Sequence, residues 1–350
     1  GQIGAALLLI YWALSLPALG QEIAALARAY PTHRNVALRL LEPLGAIEEI
    51  ITKSHDDDAA ASSLEDLAQA GGVRVELREV GVRAGGHVIL DEINLVIEGG
   101  SHVAVVGPSG AGKSSLVGLL LGWHKPTTGL VLVDGHVLEG DRLEQLRLET
   151  AWVDPAVQLW NRSLIDNLRY GAVDEALFSV SEVVERADLG AVLERLPDGL
   201  QTSLGEGGAL VSGGEGQRVR LGRAMLKACA RLVILDEPFR GLDRERRREL
   251  LAQARERWPE ATLLCITHDV GETLSFQRVL VVEDGHVVED GAPLELAAQP
   301  RSRYRNLLDA EEEVREKLWE GVSWRRLRIE KGRLTEKEHL SEMMAVGKYE

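Results

Sequence analysis

The spacing of apolar positions changes several times along the chain. Ile3 to Gly20 (IGAALLLIYWALSLPALG) is almost continuously apolar and long enough to cross a hydrocarbon layer as a helix. Tyr11 and Trp12 lie in its middle, and Pro17 is tolerated there when neighbouring helices cover the loosened backbone. From Gln21 to Ile51 an irregular stripe of Leu26, Tyr30, Leu38, Leu41, Leu44 and Ile47 predicts further helix. From Val73 the period drops to two, in Val73–Leu77 and again around Ile89–Ile97, which predicts strands. The runs His102–Val106, Leu232–Leu235 and Thr262–Ile266 are apolar at nearly every position, as parallel strands buried on both faces are. Val279–Val282, the turn Glu283-Asp284-Gly285 and His286–Val288 predict a hairpin. Each buried run ends in glycine or polar residues, which is the layout of an α/β nucleotide-binding sheet.

These patterns divide the chain. Residues 1–53 read as a transmembrane helix with an extension, and Arg28, Arg34 and Arg39 place that extension on the cytosolic side. Residues 54–72, with the acidic run Asp56-Asp57-Asp58, read as a solvated linker. Residues 73–298 form the α/β domain. Residues 299–350 read as a charged helical tail lined by Leu307, Leu308, Val314 and Leu318, with no chemistry assigned. The formal charge of −15 argues against broad nucleic-acid binding, so no nucleic-acid partner is expected. Cys229 and Cys265 have no metal-ligand spacing and sit in apolar surroundings, as small buried groups in a reducing compartment do.

The strongest chemical motif follows His102–Val106. Gly107, Pro108, Ser109, Gly110, Ala111, Gly112, Lys113 and Ser114 fit the phosphate-loop pattern, with a strand before and a predicted helix from Lys113 to Leu121. Glycines there let backbone N–H groups converge on phosphate oxygens, and the helix N-terminus adds partial positive charge. The motif predicts binding of ATP with Mg²⁺ by Gly107–Ser115: Lys113 on the β/γ phosphates, Ser114 on the metal. Asp236, at the end of the strand Leu232–Leu235, fits a second metal ligand, and Glu237 is placed to polarise an attacking water.

Ser212-Gly213-Gly214-Glu215, preceded by Val211, resembles the LSGGQ signature of ABC ATPases. Gly241-Leu242-Asp243 resembles their D-loop and His268 their switch histidine, in the family's order. The resemblance covers roughly residues 73 to 298 and implies a P-loop NTPase cassette with a helical subdomain. It further implies that Ser212 to Glu215 dock on the γ-phosphate held by a second subunit, homo- or heterodimeric. In that arrangement His268 holds γ-phosphate and water in line, and Asp243 links the two sites. Leu196-Pro197-Asp198-Gly199, Leu204-Gly205-Glu206-Gly207-Gly208 and Arg162–Leu168 resemble exporter segments. The subclass implied is an exporter half, its membrane domain ending in residues 1–53. Its expected work is driving export of an unknown substrate across a membrane, bacterial inner or plasma, with the ATP-binding domain cytoplasmic.

Two positions depart from the exporter pattern. Ala84 stands where an aromatic residue stacks on adenine, a contact typically worth about 1–3 kcal/mol. Pro155 stands where a glutamine touches Mg²⁺; Gln158, three residues on, and Asp154 are the two candidate substitutes. These departures motivate an alternative, a binding-only or regulatory subunit with weak hydrolysis. Since Lys113, Asp236, Glu237 and His268 are all present, hydrolysis is still expected.

Overall fold

The alternating segments become the first two strands, β1 (Val75–Ala84) and β2 (His87–Ile97), joined by a tight turn at Gly85 and Gly86, both left-handed. The computed structural model to which they belong describes residues 2–44, 71–156, 158–171, 179–227, 229–320, 326–330 and 333–337. It falls into two units, Gly1–His55 and Asp56–Glu350.

In the first unit Gln2–Leu44 form one helix, α1. Ile10, Tyr11, Trp12, Leu14, Leu16 and Leu19 on it are exposed, an apolar surface that calls for cover by lipid or protein. Among the described residues no helix is long and apolar enough to cross a membrane. Several side chains of the expected span, Leu7, Leu8 and Leu9 among them, lie outside the described residues, as do residues 45–53 and most of the linker.

The second unit is built on β3 (His102–Val106), β4 (Thr128–Val133), β5 (His136–Val137), β6 (Thr150–Val153), β7 (Leu232–Asp236), β8 (Thr262–Ile266), β9 (Arg278–Glu283) and β10 (His286–Gly291). β1, β2, β4 and β5 form an antiparallel sheet in the order β2-β1-β4-β5. The larger sheet runs β10-β9-β3-β8-β7-β6, with β6, β7, β8, β3 and β9 parallel. Every residue of β3, β7 and β8 is buried, which is why those segments carry no alternation. Successive residues of one strand serve two cores. Leu232 and Ile234 face the core that includes Leu116 and Leu120, while Val233 and Leu235 face the core that includes Leu164, Val183 and Met225.

The helices are α2 (Lys113–Leu120), α3 (Gly140–Leu148), α4 (Leu164–Arg169), α5 (Val180–Arg186), α6 (Gly190–Arg195), α7 (Gly213–Met225), α8 (Arg244–Arg257), α9 (Pro293–Ala298) and α10 (Arg303–Glu320). α4 to α7 supply the helical side of the second core. Beyond α10, Arg326–Glu330 and Arg333–Lys337 pair as a two-stranded antiparallel sheet where the charged composition predicts helix. Leu327 and Ile329 alternate with charged residues there, a period of two.

Asn167, fully buried on α4, ties the helical subdomain together. Its Nδ2 donates to the carbonyls of Trp160 (3.0 Å), Ser163 (3.1 Å) and Arg162 (3.2 Å). Its Oδ1 accepts from Trp160 N (2.8 Å) and Arg223 (3.0 Å). Asn167→Ala strands several buried groups at once and is expected to destabilise the fold by about 2–4 kcal/mol. Urea unfolding reads this directly, and an unchanged midpoint would remove Asn167 from that role.

Candidate active site

The carboxyl ends of β3, β6, β7 and β8 lie along one edge of the parallel sheet, where such sheets bind ligands. β3 runs into the phosphate loop. Gly107 has φ 147°, and a Cβ there would lie 2.0 Å from the Val282 carbonyl oxygen. Gly112, with φ 105°, precedes α2, whose start has no side-chain cap. The first N–H groups of that helix are left for an anion. Lys113 is buried and donates to the carbonyls of Gly107 (2.9 Å) and Pro108 (2.8 Å). Burial lowers its pKa, while Glu237 and Asp236 pull it back up.

β7 delivers the carboxylates. Asp236 is buried, and its side chain is hydrogen-bonded to Ser114. Burial raises its pKa; Ser114 opposes this, Asp154 and Glu237 add to it, and Lys113 opposes it. The chain of β6 accounts for the Asp154 effect. Val153 pairs with Leu235, so Asp154 follows beside Asp236. Two residues back, Trp152 and Ile234 both pack toward the core holding α2, so the two carboxylates share that face. Asp154 Oδ1 also accepts from Ala156 N at 2.5 Å. Gln158 is exposed, and its carbonyl accepts from Arg223 at 3.4 Å. Among the described residues no contact joins Gln158 to Ser114 or Asp236. Of the two candidates the sequence offers, Asp154 is the one the strand register sets beside Asp236.

Glu237 adopts φ 44°, a left-handed conformation uncommon for a side-chain-bearing residue. Its N–H donates to the Ile266 carbonyl at 3.0 Å, and its Oε1 lies 2.7 Å from His268 Nε2. A cleft of about 790 Å³ brings together Ser109, Glu237, Gly241, Asp243, His268 and Glu272. Asp243 caps α8, accepting from Arg246 N at 3.0 Å; that bond, with the Arg246 charge, lowers its pKa. Cys265 is buried beside this cleft, and burial pushes its thiol up to about 12, so it stays protonated. Ala84, exposed, pairs across the β1–β2 turn with exposed His87.

Ser212 opens α7 with a capping box. Its hydroxyl accepts from Glu215 N (3.4 Å), and Glu215 Oε2 accepts from Ser212 N (2.7 Å). Arg195 donates to the same carboxylate at 2.6 Å. Burial would raise the Glu215 pKa, but Arg195 and the Ser212 donors outweigh it and hold it at about 2. Stability from this box is therefore complete above the ordinary value of 4.5 and lost as pH falls toward 2. The melting gap between wild type and Glu215→Gln is expected to narrow from about pH 5 to pH 3. A gap constant over that range would contradict it.

Residues 90–240 match the family model described as ABC transporter. Its segment runs from β2 through the phosphate loop, the capped glycines and the Asp236-Glu237 strand end. The chain carries the ATPase domain of an ABC transporter, similar to those of exporter-type members. Curated relatives named ATP-dependent lipid A-core flippase are similar to it. That of Ralstonia nicotianae is 38% identical over 60% of this chain and 36% of its own length. That of Yersinia pestis is 32% identical over 84% of this chain and 53% of its own length. The solved structure of a bacterial Atm1-family ABC exporter with ATP bound superposes with a TM-score of 0.65 at 28% identity, covering 68% of this chain and 42% of that one. The chain thus spans about a third to a half of the length of these ABC relatives.

Proposed function

We propose that this chain binds and hydrolyses Mg²⁺-ATP as one half of an ABC exporter, and that hydrolysis drives export across a membrane. The observation that carries the reading is the convergence of Lys113, Ser114, Asp236, Glu237 and His268 at one sheet edge, with Glu237 within 2.7 Å of His268. The glycine loop and the bare start of α2 suit the triphosphate. Ser114 and Asp236, with Asp154 beside them, are a hard-oxygen donor set that fits Mg²⁺. When bound there the ion would neutralise charge on the β- and γ-phosphate oxygens.

The chain's own residues supply the rest. Lys113 exchanges its loop carbonyls for phosphate oxygens. Glu237 accepts a proton from the water that attacks the γ-phosphorus, and the bond from that phosphorus to the bridging oxygen breaks to give ADP and phosphate. His268 orients Glu237 and the water. Ser212, Gly213, Gly214 and Glu215 serve the nucleotide of a partner half, through the N-terminus of α7.

On this reading residues 1–53 are the last transmembrane helix and cytosolic extension, 54–72 the linker, 73–298 the cassette and 299–350 an appended tail. The cassette faces the cytoplasm. Lipid A-core, named for the curated relatives, is the first substrate to test. The second reading, binding with weak turnover, draws on Pro155 at the glutamine position. Phosphate release from ATP by the full 350-residue chain, in Mg²⁺ and in EDTA, separates the two. Mg²⁺-dependent release is expected. ATP binding without release supports the second reading, and neither binding nor release contradicts both.

A further inference from the structure

His268 lies in a short connection fastened at both ends. On the strand side, Thr267 N donates to the Val105 carbonyl at 3.3 Å, and Thr267 Oγ1 accepts from Asp269 N at 3.0 Å. Asp269 forms an ion pair with Arg247 of α8. The other end is the short 3₁₀ helix Val270–Ser275, and it is held by α10, a helix that contributes nothing to the nucleotide motifs.

α10 is itself firmly anchored. Glu289 of β10 accepts from Arg303 N (2.6 Å), Tyr304 N (2.9 Å) and Ser302 Oγ (2.8 Å), closing the helix start. Tyr304 is fully buried, with its hydroxyl 2.7 Å from Thr273 Oγ1. Thr273 already donates to the Val270 carbonyl at 2.6 Å, so Tyr304 is the donor of that pair. Two turns along the same face of α10, Glu311 Oε2 accepts the N–H of Gly271 at 2.9 Å. This charge-assisted bond reaches the backbone three residues after His268, whose Nε2 meets Glu237.

We propose that Glu311 is a positioning residue for His268. From α10 it fixes the turn that aims the imidazole at Glu237. The proposal rests on the hydrolytic reading above. It assigns to the charged segment beyond residue 299 a share in turnover and none in ATP binding.

The test uses the full chain with Glu311→Ala and Glu311→Gln, reading amide hydrogen exchange, ATP Kd and kcat for phosphate release. In Glu311→Ala the Gly271 amide is expected to exchange about tenfold faster or more, with amides of β3 and β7 unchanged. Its kcat is expected to fall about tenfold, with ATP Kd within about twofold of wild type. Glu311→Gln should recover much of both, since its amide oxygen still accepts. Unchanged exchange at Gly271 would overturn the proposal, as would faster exchange with unaltered kcat. Loss of ATP binding and thermal stability in step with kcat would also overturn it, by showing a general structural role. If wild type binds ATP and releases no phosphate, the hydrolytic reading fails separately, and the exchange measurement still decides whether Glu311 holds the switch turn.

Discussion

Lys113→Ala is expected to weaken Mg²⁺-ATP binding by about a hundredfold, as truncating one partner of a buried charged pair does. Lys113 is only 6% exposed, and its ammonium is held by two loop carbonyls at 2.8 and 2.9 Å. Those carbonyls are modest partners for a cation whose charged form burial disfavours. A triphosphate offers charged oxygens within the same loop, so Lys113 gains on binding what it lacks in the free protein. Alanine removes the only cation on this sequence's phosphate-loop motif and leaves the glycine path intact. Calorimetric titration with ATP reads the effect. A Kd within threefold of wild type would mean that the loop does not hold the phosphates through Lys113.

Glu237→Gln is expected to cut phosphate release by about a hundredfold or more while ATP binding persists. Glutamine keeps the shape of the side chain and its reach to His268, and it cannot take up a proton. The backbone at Glu237 is already left-handed and its N–H is bonded to Ile266, so the substitution asks nothing new of the main chain. With turnover stopped, the ATP-bound pair of chains should accumulate and run as a dimer on size exclusion in Mg²⁺-ATP. Undiminished release from Glu237→Gln would move the base elsewhere, first to Asp154.

What could be read from the sequence was local. Gly107 to Ser114, Asp236-Glu237 and Ser212 to Glu215 each carry their chemistry within a few consecutive residues, and uniform apolar runs marked β3, β7 and β8 as buried on both faces. The sequence offers Asp154 and Gln158 as alternatives and cannot choose between them, because the choice depends on β6 lying beside β7, a pairing across some eighty residues of sequence. It gave Gln158 a metal role from distance along the chain alone, and the structure leaves that side chain exposed. Glu215 stood in the sequence as one letter of a family signature. Its spacing from Ser212 also spells a capping box, which the structure forms. Glu311 could not be found in advance. It belongs to a charged segment without periodic chemistry, and only the packing of α10 under Val270–Ser275 brings it to Gly271.

The central claim is that one chain holds half of a hydrolytic site and a partner completes it. Mixing tests this most directly. Chains bearing Lys113→Ala lack the loop, and chains bearing Gly213→Glu lack a usable α7 start. Neither alone is expected to release phosphate from Mg²⁺-ATP. In a mixed dimer one site collects both lesions and the other has none, so release should return on mixing, with a maximum near equal amounts. Silence at every ratio, or substantial release by the Gly213→Glu chain alone, would contradict the shared site.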